Sequence, residues 1–127
     1  MALILETSLR NDLANQIDDS INAGASPELV FETTGDVEVA TIVLDATNAF
    51  GAAATGVITM TGQPRSDTNA TGGTTGQFSI YTTAAQTTKI LEGTVATSGA
   101  DINISSVVIG ATDTVELTTF TITVPAS

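Results

Sequence analysis

Apolar and small polar side chains alternate through the last third of the chain, over residues 93–125. Near its end, Phe120, Ile122 and Val124 alternate with threonines. A period of two places successive side chains on opposite faces of a strand, so this pattern predicts strands with one buried face and one wet face. The stretch therefore favours a mainly β protein.

The same period of two begins after Ala25 and predicts seven or eight short strands separated by turn residues. The strand at 37–44 is apolar on both faces, which predicts a central position in a sheet. Phe50 is predicted to lie in the core, and the Gly- and Asn-rich stretch 62–76 is predicted to be a surface loop. The other predicted strands cover residues 29–33, 57–61, 77–82, 88–96, 102–109 and 115–124.

Regular short strands at this spacing predict one antiparallel β-sandwich domain over residues 1–127. Jelly-roll and immunoglobulin-like topologies both fit the spacing, which does not choose between them. Two phase shifts in the alternation, at Ser105-Ser106 and Thr118-Thr119, predict strands that bend or bulge.

One helix is predicted before the strands, over residues 8–23. Thr7 or Ser8 can cap its start, and Gly24 can end it in a left-handed conformation. Its apolar face either closes the β core or packs as a seam against a neighbouring subunit, and both interpretations bury the same side chains. The residues of this stripe recur every four positions: Leu9, Leu13, Ile17 and Ile21.

Acidic residues dominate the charge, with 14 Asp and Glu against three Lys and Arg, for a formal net charge of −11. Nucleic acids and anionic membranes are bound through basic surfaces, so neither partner is expected. An acidic surface complements a basic patch on another protein. The short apolar run at the N-terminus lacks a basic flank and does not predict a signal peptide.

The residue types that perform most catalysis are missing. The chain has no Cys and no His, which removes thiolate ligands and the commonest general base. A Ser or Thr nucleophile would therefore lack a base, and Lys89 is predicted to be a charge on an edge strand. The acids fall mostly in turns and on wet strand faces. Neither an enzyme nor a cofactor is therefore expected.

Two short Asp-x-Asn units, at 67–69 and 101–103, offer the oxygen atoms that Ca²⁺ prefers. Calcium needs about six to eight such ligands, and no EF-hand loop surrounds either unit. No metal site is predicted from them.

Several stretches occur in an order that resembles small virion proteins encoded among the structural genes of tailed bacteriophages. The segment after the helix differs, because relatives carry a strand and turn with Tyr and Pro there, whereas residues 26–34 are shorter. The resemblance implies a structural role without catalysis and assigns no site residues. The stretches are 22–25 (NAGA), 48–59 (NAFGAAATGVIT), 66–73 (SDTNATGG), 93–104 (GTVATSGADINI) and 119–125 (TFTITVP).

Within that resemblance we expect a capsid decoration, or cement, protein on the outer surface of a phage head, made in the host cytoplasm. The expected partners are the major capsid protein and further copies of the chain, as a homotrimer or homodimer. A tail, neck or head-fibre adaptor is the alternative. A carbohydrate-binding module is less favoured, because sugar platforms expose Trp or Tyr and the chain offers only Tyr81.

Overall fold

A computed structural model describes residues 3–127. Over that range the protein is mainly β, as predicted, with one helix, α1 (Thr7–Ile21), and eleven short strands. The strands are β1 (Glu28–Glu32), β2 (Glu38–Val43), β3 (Val57–Thr59), β4 (Arg65–Asp67), β5 (Gly73–Thr74), β6 (Gln77–Tyr81), β7 (Lys89–Ala96), β8 (Ile102–Asn103), β9 (Val108–Ile109), β10 (Val115–Leu117) and β11 (Thr121–Thr123).

Five strands form the main sheet, in the order β2-β1-β6-β7-β8. Its first four strands are antiparallel, and β8 joins β7 in parallel through Val95 and Ala96. The other strands of residues 3–127 form small antiparallel pairs, β10 with β4, β11 with β3 and β5 with β9. The described chain is thus a mostly antiparallel main sheet with small sheets beside it.

Aromatic side chains from separate sheets meet in the core. Phe120, just before β11, packs edge-to-face on Phe78 of β6, with 5.3 Å between ring centroids. Phe50 packs on the same Phe120 ring at 6.1 Å and is fully buried, which confirms its predicted core position. Each such pair contributes about 0.5–1.5 kcal/mol beyond simple burial. The contacts join the main sheet to the β3–β11 pair.

The strand β2 lies at the edge of the main sheet, so the prediction of a central strand at 37–44 is wrong. Its outer edge is nevertheless covered, because segment 65–72 hydrogen-bonds to it. An edge covered in this way cannot template another chain. The bonds run from Thr41 N–H to Asp67 Oδ2 (2.8 Å), from Gly72 N–H to the Val39 carbonyl (3.0 Å) and from Arg65 Nη1 to the Val43 carbonyl (3.1 Å).

Two long predicted strands are split, and the stretch 62–76 holds β4 and β5 as well as loop. The predicted strand 102–109 becomes β8 and β9, and 115–124 becomes β10 and β11. The breaks fall where the alternation changes phase. A phase change moves apolar side chains to the other face, so one strand ends and the next pairs with a different partner.

The helix α1 confirms the predicted helix, but both ends differ from the prediction. Glu6 is its N-cap and makes no side-chain cap, so neither Thr7 nor Ser8 has that role. The helix ends at Ile21, and Gly24 does not have a positive φ. Gly24 is instead needed for close approach, because a Cβ there would lie 2.0 Å from the Thr82 carbonyl oxygen.

A row of polar side chains on α1 binds the backbone of segment 49–56. Positions three and four apart lie on one helix face, so the row is continuous. Burial raises the pKa of Asp18, and its hydrogen bond from Phe50 opposes that shift. The row holds the segment that carries Phe50 into the core. The acceptors are Oδ1 of Asn11 for Gly56 N–H (2.8 Å), of Asn15 for Ala53 (2.9 Å), of Asp18 for Phe50 (3.1 Å) and of Asn22 for Ala49 (3.0 Å).

Removing one acceptor tests this row. Asn11→Ala leaves the buried N–H of Gly56 without its partner, so we expect the free energy of unfolding to fall by about 1–3 kcal/mol. Urea unfolding measures the change. Asn11→Asp keeps an oxygen at the same place and is the matched control. Equal stability of Asn11→Ala and wild type would contradict the anchoring role.

Candidate functional site

The predicted apolar stripe of α1 divides into a buried half and an exposed half. Ile21 is fully buried, and Ile17 packs partly buried against the core. Leu9 and Leu13 remain 45% and 42% exposed. The C-terminal half of the stripe therefore belongs to the core, whereas the N-terminal half is available for contact with another molecule.

Residues before the helix add to the exposed half. Leu3 is 81% exposed and Ile4 is 67% exposed. The N–H of Leu5 donates to the Ala126 carbonyl at 2.6 Å, which ties this segment to the C-terminal end of the chain. The four exposed apolar side chains all fall within residues 3–13, and exposed apolar patches mark interaction surfaces. We name Leu3, Ile4, Leu9 and Leu13 the N-terminal apolar surface.

Glu32 is the most buried charged side chain of the main sheet, at 1% exposure. Its Oε1 accepts a hydrogen bond from Ser79 Oγ at 2.5 Å, and its Oε2 accepts one from Tyr81 OH at 2.7 Å. A buried carboxylate is tolerated only when such donors satisfy it. The three side chains therefore form a structural unit that joins β1 to β6.

Further acidic side chains surround this unit, and each has a partner. Gln86 Nε2 donates to Glu28 Oε1 and Glu38 Oε2, at 3.3 Å each. Lys89 Nζ lies 2.9 Å from Glu92 Oε2 and 3.4 Å from Asp36 Oδ1. The bond to Glu92 raises the pKa of Lys89, and burial opposes it. Burial likewise raises the pKa of Glu28.

The Asp-x-Asn units serve local structure. Asp67 Oδ1 accepts the N–H of Asn69 at 2.9 Å, while its other oxygen holds β2. Asp101 Oδ2 accepts the N–H of Thr94 at 2.9 Å. Across residues 3–127, no three His, Cys, Asp or Glu side chains come together in a way that could hold a metal ion.

Sequence reasoning missed the role of Glu32, although the sequence contains a signal for it. In β1 an acid stands at each end of three apolar residues, and in β6 Ser79 and Tyr81 stand two apart. Antiparallel pairing of these strands sets Glu32 opposite Gln77, within reach of both hydroxyls. The pairing partner itself cannot be read from either strand alone.

The chain matches no family model, no curated protein and no solved structure. In the described part of the chain, no helix has the length and apolar character needed to cross a membrane. The roles of the surfaces are therefore inferred from the residues and charges that form them.

Removing the Tyr81 hydroxyl tests the Glu32 unit. Tyr81→Phe leaves Glu32 Oε2 without its donor, so we expect the free energy of unfolding at neutral pH to fall by about 1–3 kcal/mol. Urea unfolding of both proteins measures this difference. If Tyr81→Phe proves as stable as wild type, that result contradicts the structural role of the hydroxyl.

The pH dependence gives a second readout of the same variant. Burial raises the pKa of Tyr81, and its hydrogen bond to Glu32 adds to the shift. The folded chain then keeps the phenolic proton where the unfolded chain has lost it, so this residue's contribution to stability falls as pH rises above about 10. Tyr81→Phe lacks that component. Parallel declines of wild type and variant above about pH 10 would contradict the raised pKa.

Proposed function

We propose that the protein is a structural protein of a bacteriophage particle and serves as a capsid decoration, or cement, protein on the outside of the head. The N-terminal apolar surface carries this proposal. It leaves large apolar side chains exposed on a chain with a net charge of −11, a combination that favours binding to protein. The phage particle is proposed because stretches of the chain resemble, in order, virion proteins of tailed phages.

The proposed partners are the major capsid protein and further copies of the chain. The acidic charge disfavours contact with packaged DNA and complements a basic patch on a capsid subunit. Closed symmetry favours a homotrimer or homodimer, with the N-terminal apolar surface as the seam between copies.

The proposal includes the architecture of the domain. We propose that the main sheet and the small sheets are the two layers of an antiparallel β-sandwich, of jelly-roll or immunoglobulin-like topology. The ring contact between Phe78 of the main sheet and Phe120 beside β11 supports two packed layers. A rigid layered body suits a protein that reinforces a shell.

The burial and the hydrogen bond of Tyr81 disfavour carbohydrate binding. Its ring is 7% exposed and its hydroxyl is bonded to Glu32, so it offers no stacking platform. A tail, neck or head-fibre adaptor would use the same surfaces as a decoration protein. Copy number separates these two roles.

Substitution of Leu13 tests the seam. Leu13 is half exposed, so Leu13→Asp is expected to fold, and its charge should weaken association between copies. Sedimentation velocity measures the mass, and circular dichroism measures the fold. Ile21→Asp is the buried counterpart and is expected to unfold, because an unpaired buried charge costs several kcal/mol. An unchanged oligomer mass for Leu13→Asp would contradict the seam, and its unfolding would place Leu13 in the core.

The number of copies in purified particles tests the position in the virion. By the resemblance, a decoration protein is expected in hundreds of copies and a tail protein in about a dozen or fewer. Densitometry against the major capsid protein measures the ratio. About a dozen copies would favour the tail or neck alternative, and absence from particles would contradict a virion role altogether.

A further inference from the structure

A groove runs along the C-terminal part of the chain, with β7, β8 and residues 103–109 on one wall and β10 and β11 on the other. It consists of three cavities of about 360, 340 and 310 Å³. The first two share Ile104 and Glu116, and the last two share Asp101 and Phe120. The cavities therefore lie end to end as one elongated site.

Apolar side chains line part of the groove. At one end these are Phe78, Leu91, Phe120 and Ile122. Leu91 and Ile122 are partly buried and pack against the core, so their free surfaces remain available to a ligand. The lining suits apolar side chains that enter from outside.

The charged side chains of the groove are all acidic. Glu92, Asp101, Asp113 and Glu116 line it, and none of its described lining residues is Lys or Arg. Asp101 and Asp113 accept hydrogen bonds from backbone N–H groups nearby. Those neutral donors leave the charges of Asp101 and Asp113 in place, whereas Lys89 pairs with Glu92. The groove therefore keeps a net negative charge, which favours a cationic ligand.

Over residues 3–127, no strand pairs with the edge of β11 that lies opposite β3. Met60 N–H donates to the Phe120 carbonyl and Val124 N–H donates to the Gly56 carbonyl, each at 2.8 Å. In an antiparallel ladder these bonds alternate, so the backbone groups of Thr121 and Thr123 point away from β3. Both threonines line the groove.

The strand β7 presents a second unpaired edge at the same end. Val95 N–H donates to the Gly76 carbonyl at 3.1 Å, and the same alternation points the backbone of Glu92 away from β6. Among described residues, β8 pairs only with Val95 and Ala96. Glu92 therefore lies on an open edge that lines the groove. Open edges accept an additional strand.

We propose that this groove binds an extended, basic segment of a different protein, which adds as a strand along β11. Alternate side chains of that segment enter the apolar lining, and its Lys or Arg side chains meet Asp101, Asp113 and Glu116. This binding site deepens the proposed function, because it names the surface that binds and the chemistry of the partner. The expectation that the partner is a virion protein rests on the proposed function.

A second copy of the chain fits the groove poorly. Its three basic side chains are already engaged within their own subunit. Arg10 donates to the Thr55 carbonyl, Arg65 donates to the Thr61 and Val43 carbonyls, and Lys89 pairs with Glu92. A copy would bring mostly negative charge to a negative groove.

Fluorescence anisotropy with labelled peptides tests the proposal on the purified full chain. The probe is a peptide of about ten residues that alternates Lys and Val, so that one face is basic and the other apolar. Its controls are a Glu–Val peptide and a Lys–Val peptide N-methylated along one edge. We expect saturable binding of the first probe only, weakened by salt. Binding of the N-methylated peptide with equal affinity would overturn strand addition.

Two charge reversals locate the site. The side chain of Glu116 is exposed and makes no hydrogen bond to a described residue, so Glu116→Lys is expected to fold and to weaken binding about fivefold or more. Asp19→Lys makes the same change in net charge on α1, outside the groove, and is expected to change affinity less than about twofold. Equal losses in both variants would show non-specific attraction and overturn the site.

Other outcomes also decide the question. No saturable binding at about 1 mM peptide would overturn the proposal. Self-association that Glu116→Lys abolishes, without peptide binding, would assign the groove to a second copy and overturn it as well. The titration involves no particle, so its failure leaves the virion copy number unaffected. Absence from particles would instead overturn the proposed function and leave a measured groove affinity standing.

Discussion

Hydrogen bonds from backbone N–H groups of segment 49–56 to side-chain oxygens of α1 and its C-cap residue Asn22 anchor the helix to the β-structure. That segment has only isolated bridges to its neighbours, and four of its N–H groups donate to side-chain oxygens instead of strand carbonyls. With those acceptors in place, Phe50 reaches the ring of Phe120, which also contacts Phe78. A polar helix face thus joins the helix to the core alongside the buried half of the apolar stripe.

Acidic residues serve two different purposes in this chain. Glu32 is buried between β1 and β6, and hydroxyl donors satisfy both of its oxygens. Glu116 is exposed in the groove and has no described partner. A satisfied buried carboxylate specifies which strands pair, whereas an unsatisfied exposed one is available for a ligand. The same residue type is therefore structural at one site and a candidate recognition element at the other.

The two candidate surfaces differ in chemistry, and this suits two different contacts. The N-terminal apolar surface consists of apolar side chains, and we propose that it packs against a like surface on a second copy. The groove is acidic with apolar patches and fits a basic strand from another protein. The proposed decoration role would use both kinds of contact, one with copies of the chain and one with a shell subunit.

The sequence by itself determined that the chain is mainly β with one N-terminal helix, because periods of two and of four are local properties of the chain. It also placed Phe50 in the core and β6 and β7 nearly at their observed bounds. Only the tertiary structure decided that β2 is an edge strand of the main sheet. It also decided that segment 65–72 covers the outer edge of β2, because neither relationship is local to the strand. It likewise divided the helix stripe, since burial of Leu13 or Ile21 depends on how far the core extends along the helix. The groove brings together Glu92, Asp101 and Glu116 from segments that belong to different sheets, and no local pattern records which segments meet.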